Sequence, residues 1–215
     1  MRNKLEPKIK KIISLVEKLP YFTFDDLSPV EEDRIYLRVL FYRYTKKNKV
    51  LRLKKGLYIT KNYIDDLQKS NTFSFYLEFL ANILYQPSYL SLDYILYFHN
   101  LLTEIPTNFT SITKNKTNTF SNKLGNFIYH KIKDELFCGF EITEEGDFSI
   151  FKATKAKALF DFLYLRKNLL INKRTVEELR LNLNNFNKDD LNEFKKYIQI
   201  ENSKRIKEIF NYLFK

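Results

Sequence analysis

Lys49, Arg52, Lys54 and Lys55 fall in one short segment with no acid among them. A row of cations of that kind suits an anion that is itself a row, a nucleic-acid phosphate backbone. A second set lies just upstream, Arg34, Arg38, Tyr42, Arg43, Thr45, Lys46 and Lys47, whose side chains can bond phosphates or base edges. Together these residues form the candidate DNA-binding set. Other chemistry finds no constellation. His99 and His130 have no partner at metal-ligand spacing, so no metal or other cofactor is expected. Gly56, Gly125, Gly139 and Gly146 are too scattered to cradle a phosphate, and neither a Gly-x-Ser-x-Gly elbow nor a His-Glu-x-x-His motif occurs. Asp134-Glu135 and Glu144-Glu145 read as solvated charges in turns between strands. Cys138, in the run LFCGF, reads as a small buried hydrophobe. The chain is therefore not expected to be an enzyme.

Positioning the downstream cations requires a ribbon. Residues 50–53 and 57–60 read as paired strands, and Lys54-Lys55-Gly56 supplies the turn, with Gly56 free to take a positive φ. The upstream set requires a helix, expected over residues 31–47, with Glu31, Glu32 and Asp33 in its first turn. That helix is expected to bury Ile35, Val39, Leu40 and Tyr44 and to leave Arg34, Arg38, Tyr42 and Thr45 outward, and Asn48 stops it. Before it, residues 4–19 place Leu5, Ile9, Ile12, Ile13, Val16 and Leu19 on one helical face, and Pro20 ends the run. Residues 22–27 read as a short helix capped by Thr23. Helix, short helix, basic helix and basic hairpin in that order predict a winged helix-turn-helix over residues 1–65, its third helix entering the major groove. The plainer alternative is a small helical domain whose arginines are merely solvated.

The charge is unevenly spread. Residues 1–63 hold 16 Lys and Arg against 7 Asp and Glu, and residues 64–215 hold 21 against 19. A codon-driven excess of lysine would charge both parts alike, so the asymmetry points to an anion-binding module in front of a near-neutral domain. The start MRNKLEPKIKK lacks the apolar core of a signal peptide, and no run approaches a membrane span. With one cysteine, a disulfide framework is excluded, and a soluble, cytoplasmic protein is expected. The 15 tyrosines and 20 phenylalanines fall at helical or alternating spacing among Leu and Ile, the pattern of a core rather than of a stacking platform for single strands.

Residues 61–71 read as a linker and residues 70–215 as a second, α+β domain. Residues 73–85 predict a buried helix, and Ser91 is expected to cap another through LDYILYFHNLL. Residues 109–113, 127–133, 136–142 and 148–153 predict an antiparallel sheet. Residues 156–167 return to helix. The tail from Thr175 reads as two or three amphipathic helices that either complete the core or present a partner surface.

The segments FTFDDL, RYTKKNKVLRLKKGLYI, SYLSLDYILYFHNLLTEIP, TSITKNKTNTF, LGNFIYHKIKDELFCGF and KATKAKALFDFLYLRKN follow one another over about residues 20 to 168. In that order they resemble the AbiE-type antitoxin family of type IV toxin-antitoxin, or abortive infection, systems. The resemblance implies an N-terminal winged helix-turn-helix, a C-terminal antitoxin domain, repression of the protein's own operon and neutralisation of a nucleotidyltransferase-like toxin. It places DNA contacts on the helix bearing Arg34, Arg38 and Arg43 and on the wing bearing Arg52, Lys54 and Lys55. The second domain is marked by Ser88-Tyr89-Leu90-Ser91, Leu101, Glu104, Pro106, Thr110, Thr113 and Ala158, Leu159 and Asp161. The chain departs from the family at Asn48 and Asn100, where glycine is expected, and at Lys155-Ala156-Lys157, where a Pro-Glu-Lys-like step is common.

The resulting expectation is an antitoxin and transcriptional autorepressor that binds its operator as two copies on paired half-sites, self-associating on DNA, with no membrane partner. Two alternatives stand. One is a winged-helix regulator without a toxin, whose second domain senses a ligand or partner. The other is an interaction protein whose basic N-terminus docks on an acidic surface.

Overall fold

The first helix, α1 (Arg2–Val16), buries Ile12 and Val16 completely, one turn apart, as the apolar spacing requires. The computed structural model describes residues 2–214, with side chains from Lys8 onward, so Leu5 of the expected apolar face lies outside the described side chains. The chain divides into two compact units, residues 1–77 with 121–124 and residues 78–120 with 125–215. It is a mixed α+β protein.

In the first unit the expected short helix over residues 22–27 is only a 3-10 turn at Asp25–Leu27. Thr23 does not cap it. Its backbone N–H and its hydroxyl both donate to Asp26 Oδ2, at 2.7 and 2.9 Å, and Phe24 holds the N-cap position with no side-chain bond. The next helix, α2 (Arg34–Lys46), starts later than expected, because Asp33 is its N-cap and accepts from the Ile35 and Tyr36 N–H groups. Glu31 is instead held by Lys8 at 2.7 Å, and that hydrogen bond keeps its carboxyl below the ordinary value.

The buried face of α2 also differs from expectation. Leu37, Leu40 and Phe41 are buried and Tyr44 half-buried, whereas Ile35 and Val39 are 72% and 44% exposed. Two apolar stripes compete on this helix, and the one carrying the large Phe41 ring packs on Phe22 at 4.9 Å.

Asn48 takes the left-handed conformation (φ 54°) and turns the chain into β1 (Val50–Lys54), which pairs antiparallel with β2 (Leu57–Thr60) around Gly56 at φ 80°. The Phe22 and Tyr58 backbones exchange hydrogen bonds of 2.8 and 2.9 Å, laying residue 22 against the ribbon. Ile12, Val16, Phe22, Leu27, Leu37, Leu40, Phe41 and Val50 form the core.

The expected linker over residues 61–71 is a helix, α3 (Lys61–Lys69). Thr60 caps it, Ile64 and Leu67 are buried, and Lys61–Asp65 and Lys69–Asp66 pair along its surface. The two aspartates there serve the helix and do not mark a loop. Next comes α4 (Phe73–Leu84), as expected.

The second unit is built on a six-stranded sheet in the order β5-β6-β4-β3-β8-β7, with β3 (Ser88–Leu90), β4 (Phe109–Thr113), β5 (Asn118–Asn122), β6 (Gly125–Lys131), β7 (Phe140–Glu145) and β8 (Phe148–Ala153). It is mixed rather than antiparallel: β3 pairs antiparallel with β4 but parallel with β8, and β4 pairs parallel with β6. The sequence conceals β3 because three buried residues show no alternation, and β5 because it is a polar edge. The strand expected over 136–142 begins only at Phe140. Leu136 lies in a 3-10 turn, and Gly139 at φ 74° breaks the extended run. Glu144 and Glu145 therefore end β7 rather than lying in a turn.

Helix α5 (Leu92–Phe98) follows Ser91 and ends at Asn100, left-handed at φ 58°. Helix α6 (Lys155–Arg166), with Ala156, Ala158, Leu159, Phe160 and Leu163 fully buried, is the central helix of this unit. The tail forms α7 (Lys173–Glu177), α8 (Lys188–Glu201) and α9 (Lys204–Phe214). Phe160 meets Phe194 at 5.7 Å and Tyr197 at 5.4 Å, and Phe194 stacks on Phe210. The tail thus completes the core of this unit.

Candidate nucleic-acid interface

One side of α2 and one face of the β1–β2 ribbon bound a groove of about 780 Å³. Its walls are Arg34, Arg38, Tyr42 and Thr45 from α2 and Arg52, Lys55, Gly56 and Tyr58 from the ribbon, with Phe24. Helical spacing explains the first set, since residues 34, 38, 42 and 45 recur every three or four positions along one side of the helix, next to the stripe that buries Leu37, Leu40 and Phe41. Strand alternation explains the second. Leu57 and Ile59 are buried on one face of β2, and the half-buried Tyr58 on the other face packs on Phe22 and Phe41 and borders the groove. The Phe24 and Tyr58 rings lie parallel, 5.4 Å apart and 4° from coplanar, and form an apolar floor under the cations. The sequence reading missed these two rings, for which the alternation of β2 is the available signal.

Arg34 pairs with Asp25, and both side chains remain largely in solvent. The Arg52 Nε–H donates to the Lys54 carbonyl at 3.3 Å, a bond that steers its guanidinium along the ribbon. The Thr45 hydroxyl donates to the Phe41 carbonyl at 2.8 Å and keeps its lone pairs outward. Lys46 stands over the Tyr42 ring at 5.6 Å.

The expected set is thus only partly gathered. Arg34, Arg38, Tyr42, Thr45, Arg52 and Lys55 line the groove, whereas Arg43, Lys46, Lys47 and Lys49 do not. Arg43, Lys46 and Lys47 are exposed near the end of α2, and Lys49 lines a different cleft with Ile13 and Tyr44. Lys54 is half-buried, and desolvation pushes its ammonium below the ordinary value.

A second cluster, wholly within the second unit, holds residues that carry the family resemblance. Lys157 and Asp161, one helical turn apart on α6, pair with no exposed surface on either side chain. Asp161 Oδ2 also accepts from the Ser91 hydroxyl at 2.8 Å and the Tyr89 hydroxyl at 3.1 Å. Ser91 is spent on this bond and makes no side-chain cap for α5. The Lys157 ammonium lies among the Phe160, Tyr197 and Tyr89 rings, 5.1, 5.2 and 5.8 Å from their centroids. Burial pushes the Asp161 carboxyl up, opposed by Lys157, Ser91 and Tyr89, and burial with the neighbouring carboxylate raises Tyr89 well above its ordinary value.

Cys138 is half-buried rather than buried, and desolvation pushes its thiol up. His99 and His130 are both lowered, first by burial. Among the described residues no three His, Cys, Asp or Glu side chains gather as a metal site, and no helix is long and apolar enough to cross a membrane. Compared with protein-family models and with curated proteins, the chain matches none.

Proposed function

We propose that the chain is a DNA-binding regulator whose first unit is a winged helix-turn-helix. In this reading α2 enters the major groove, and the β1–β2 ribbon is the wing that follows the phosphate backbone. The observation that carries it is the groove in which Arg38, Arg52 and Lys55 stand together with Arg34, which Asp25 pairs from outside the lining. The order helix, turn, helix and ribbon supports it, as does the single antiparallel bridge that ties Phe22 to Tyr58 of the ribbon. Arg38 and Tyr42 are placed to meet base edges, while Arg52 and Lys55 neutralise phosphates. One such module covers too little DNA for strong specificity, so two copies on paired half-sites are part of the proposal.

Following the resemblance to AbiE-type antitoxins, we propose further that the protein represses its own operon and counteracts a nucleotidyltransferase-like toxin in the cytoplasm, without catalysis of its own. Supporting this, Tyr89, Ser91 and Asp161, which mark the resemblance, are joined in one buried network, as determinants of a shared fold would be. A second reading, a regulator that senses a small apolar ligand, is favoured by a cavity of about 170 Å³ lined by Phe137, Phe140, Phe151 and Ser88. Among the described residues the Ser88 hydroxyl, buried there, has no hydrogen-bond partner.

The test has two arms. Binding of the full chain to the duplex upstream of its own gene, followed by gel shift, must be specific over scrambled DNA. Co-expression with the neighbouring gene must relieve growth arrest if that gene is a nucleotidyltransferase-like toxin. Specific binding with no relief leaves the regulator reading, and no specific binding refutes the winged-helix reading.

A further inference from the structure

The side of α2 farthest from the core is not the all-polar surface that a solvated helix would present. Ile35, Val39 and Tyr42 are 72%, 44% and 62% exposed. At roughly 100° per residue they project within a narrow arc opposite Leu37, Leu40 and Phe41. A single exposed apolar residue calls for no explanation, but three on one arc of one helix do. Arg34 and Arg38 flank this arc on one side, and Lys46, over the Tyr42 ring, continues it toward the C-terminus.

We propose that this stripe reads thymine, with Ile35, Val39 and the Tyr42 ring packing on 5-methyl groups in the major groove. The inference rests on the winged-helix reading of the first unit. The partner must carry apolar groups inside a strongly anionic surface, because the apolar stripe and its cations are interleaved. The major-groove edge of A·T pairs fits well. It presents a methyl group beside hydrogen-bonding atoms, with phosphates on either side. The position on the helix agrees too, since the N-terminal turns of a recognition helix are the part that reaches base edges, and Ile35 and Val39 lie there.

The test uses the full chain and the duplex upstream of its own gene, amplified once with thymidine and once with deoxyuridine triphosphate. The two duplexes have the same charge and pairing and differ in the 5-methyl groups. Binding to the deoxyuridine duplex should weaken about four-fold for each methyl contacted, and about 15-fold for two. Ile35→Ala/Val39→Ala should lose the part of the thymidine preference that these two side chains carry, keeping at most the about four-fold share of the Tyr42 ring, with the wild-type salt slope, because no phosphate contact is lost. Both side chains are exposed, so its far-UV circular dichroism should be unchanged. Equal binding of the two duplexes by the wild type would overturn the inference and leave the DNA-binding reading standing. A thymidine preference as large in the double variant as in the wild type would also overturn it, by placing the effect in duplex stiffness. Failure to bind either duplex at low salt would overturn both. Loss of a wild-type dimer in the variant off DNA would assign the stripe to self-association.

Discussion

Asp161→Ala provides the sharpest test of how the second unit is held together. The substitution removes the carboxylate paired with Lys157, whose side chain has no exposed surface, and it strands the hydroxyls of Tyr89 and Ser91. Breaking a buried pair from one side costs about 3–5 kcal/mol, because the remaining charge cannot reach water. Each unpaired hydroxyl adds on the order of 1 kcal/mol. The sum is about 5–7 kcal/mol; against a typical stability of about 5–15 kcal/mol and at about 2 °C or more per kcal/mol, the variant should melt at least roughly 10 °C below wild type. Lys157→Met/Asp161→Leu removes both charges at similar volume and should recover much of the loss, since an apolar replacement of a buried pair is often neutral or better. The assay is thermal and urea unfolding by far-UV circular dichroism, with hydrogen exchange along residues 155–166 to assign the change to α6, because two units need not melt as one. An Asp161→Ala melting point within about 2 °C of wild type would refute the reasoning. So would a double variant less stable than either single one.

Three further outcomes follow from the geometry. Gly139→Ala should destabilise or prevent folding of the second unit, because a Cβ there would overlap the Tyr197 hydroxyl and lie 2.6 Å from its Cζ, at a φ of 74°; expression and melting check it, and a wild-type melting curve contradicts it. Glu201 is pushed up by burial but pulled further down by hydrogen bonds from Lys167 and Ser203, so its folded value lies below the ordinary one. It therefore contributes stability above the ordinary carboxylate pKa that is lost as pH falls through the lower folded value, and Glu201→Gln should flatten the acid limb of the stability–pH curve. Lys54→Ala should weaken DNA binding less than Lys55→Ala, since Lys54 is half-buried outside the groove, which gel shifts on the two single variants will rank.

Much of the first unit can be read directly from the sequence. Gly56 and Asn48 can take positive φ where most residues resist it, so the turn of the ribbon and the end of α2 announce themselves. The face of α2 does not. Ile35, Val39 and Tyr42 have the same spacing as Leu37, Leu40 and Phe41, and only the Phe22 and Tyr58 rings, brought in from distant segments, decide which stripe is buried. The same holds for α3, whose Ile64 and Leu67 are sparse beside four charges and a Thr60 cap. In the second unit β3 depends on β4 and β8, farther along the chain, β5 is a polar edge beside the β6 that follows it, and the Lys157–Asp161 network joins segments some 70 residues apart. At the groove, helical periodicity identified Arg34, Arg38, Tyr42 and Thr45, while charge alone brought in Arg52 and Lys55, which line it, and Arg43, Lys46, Lys47, Lys49 and Lys54, which do not.

The measurement that bears most directly on the proposed function is the salt dependence of binding to the upstream duplex, by fluorescence anisotropy between about 50 and 200 mM salt. Arg52→Ala/Lys55→Ala should lower the affinity and reduce the slope of log K against log salt concentration by about two, close to 0.9 for each lost phosphate contact. A wild-type slope in that variant, with the fold intact, would contradict the assignment of the β1–β2 ribbon as a clamp on DNA.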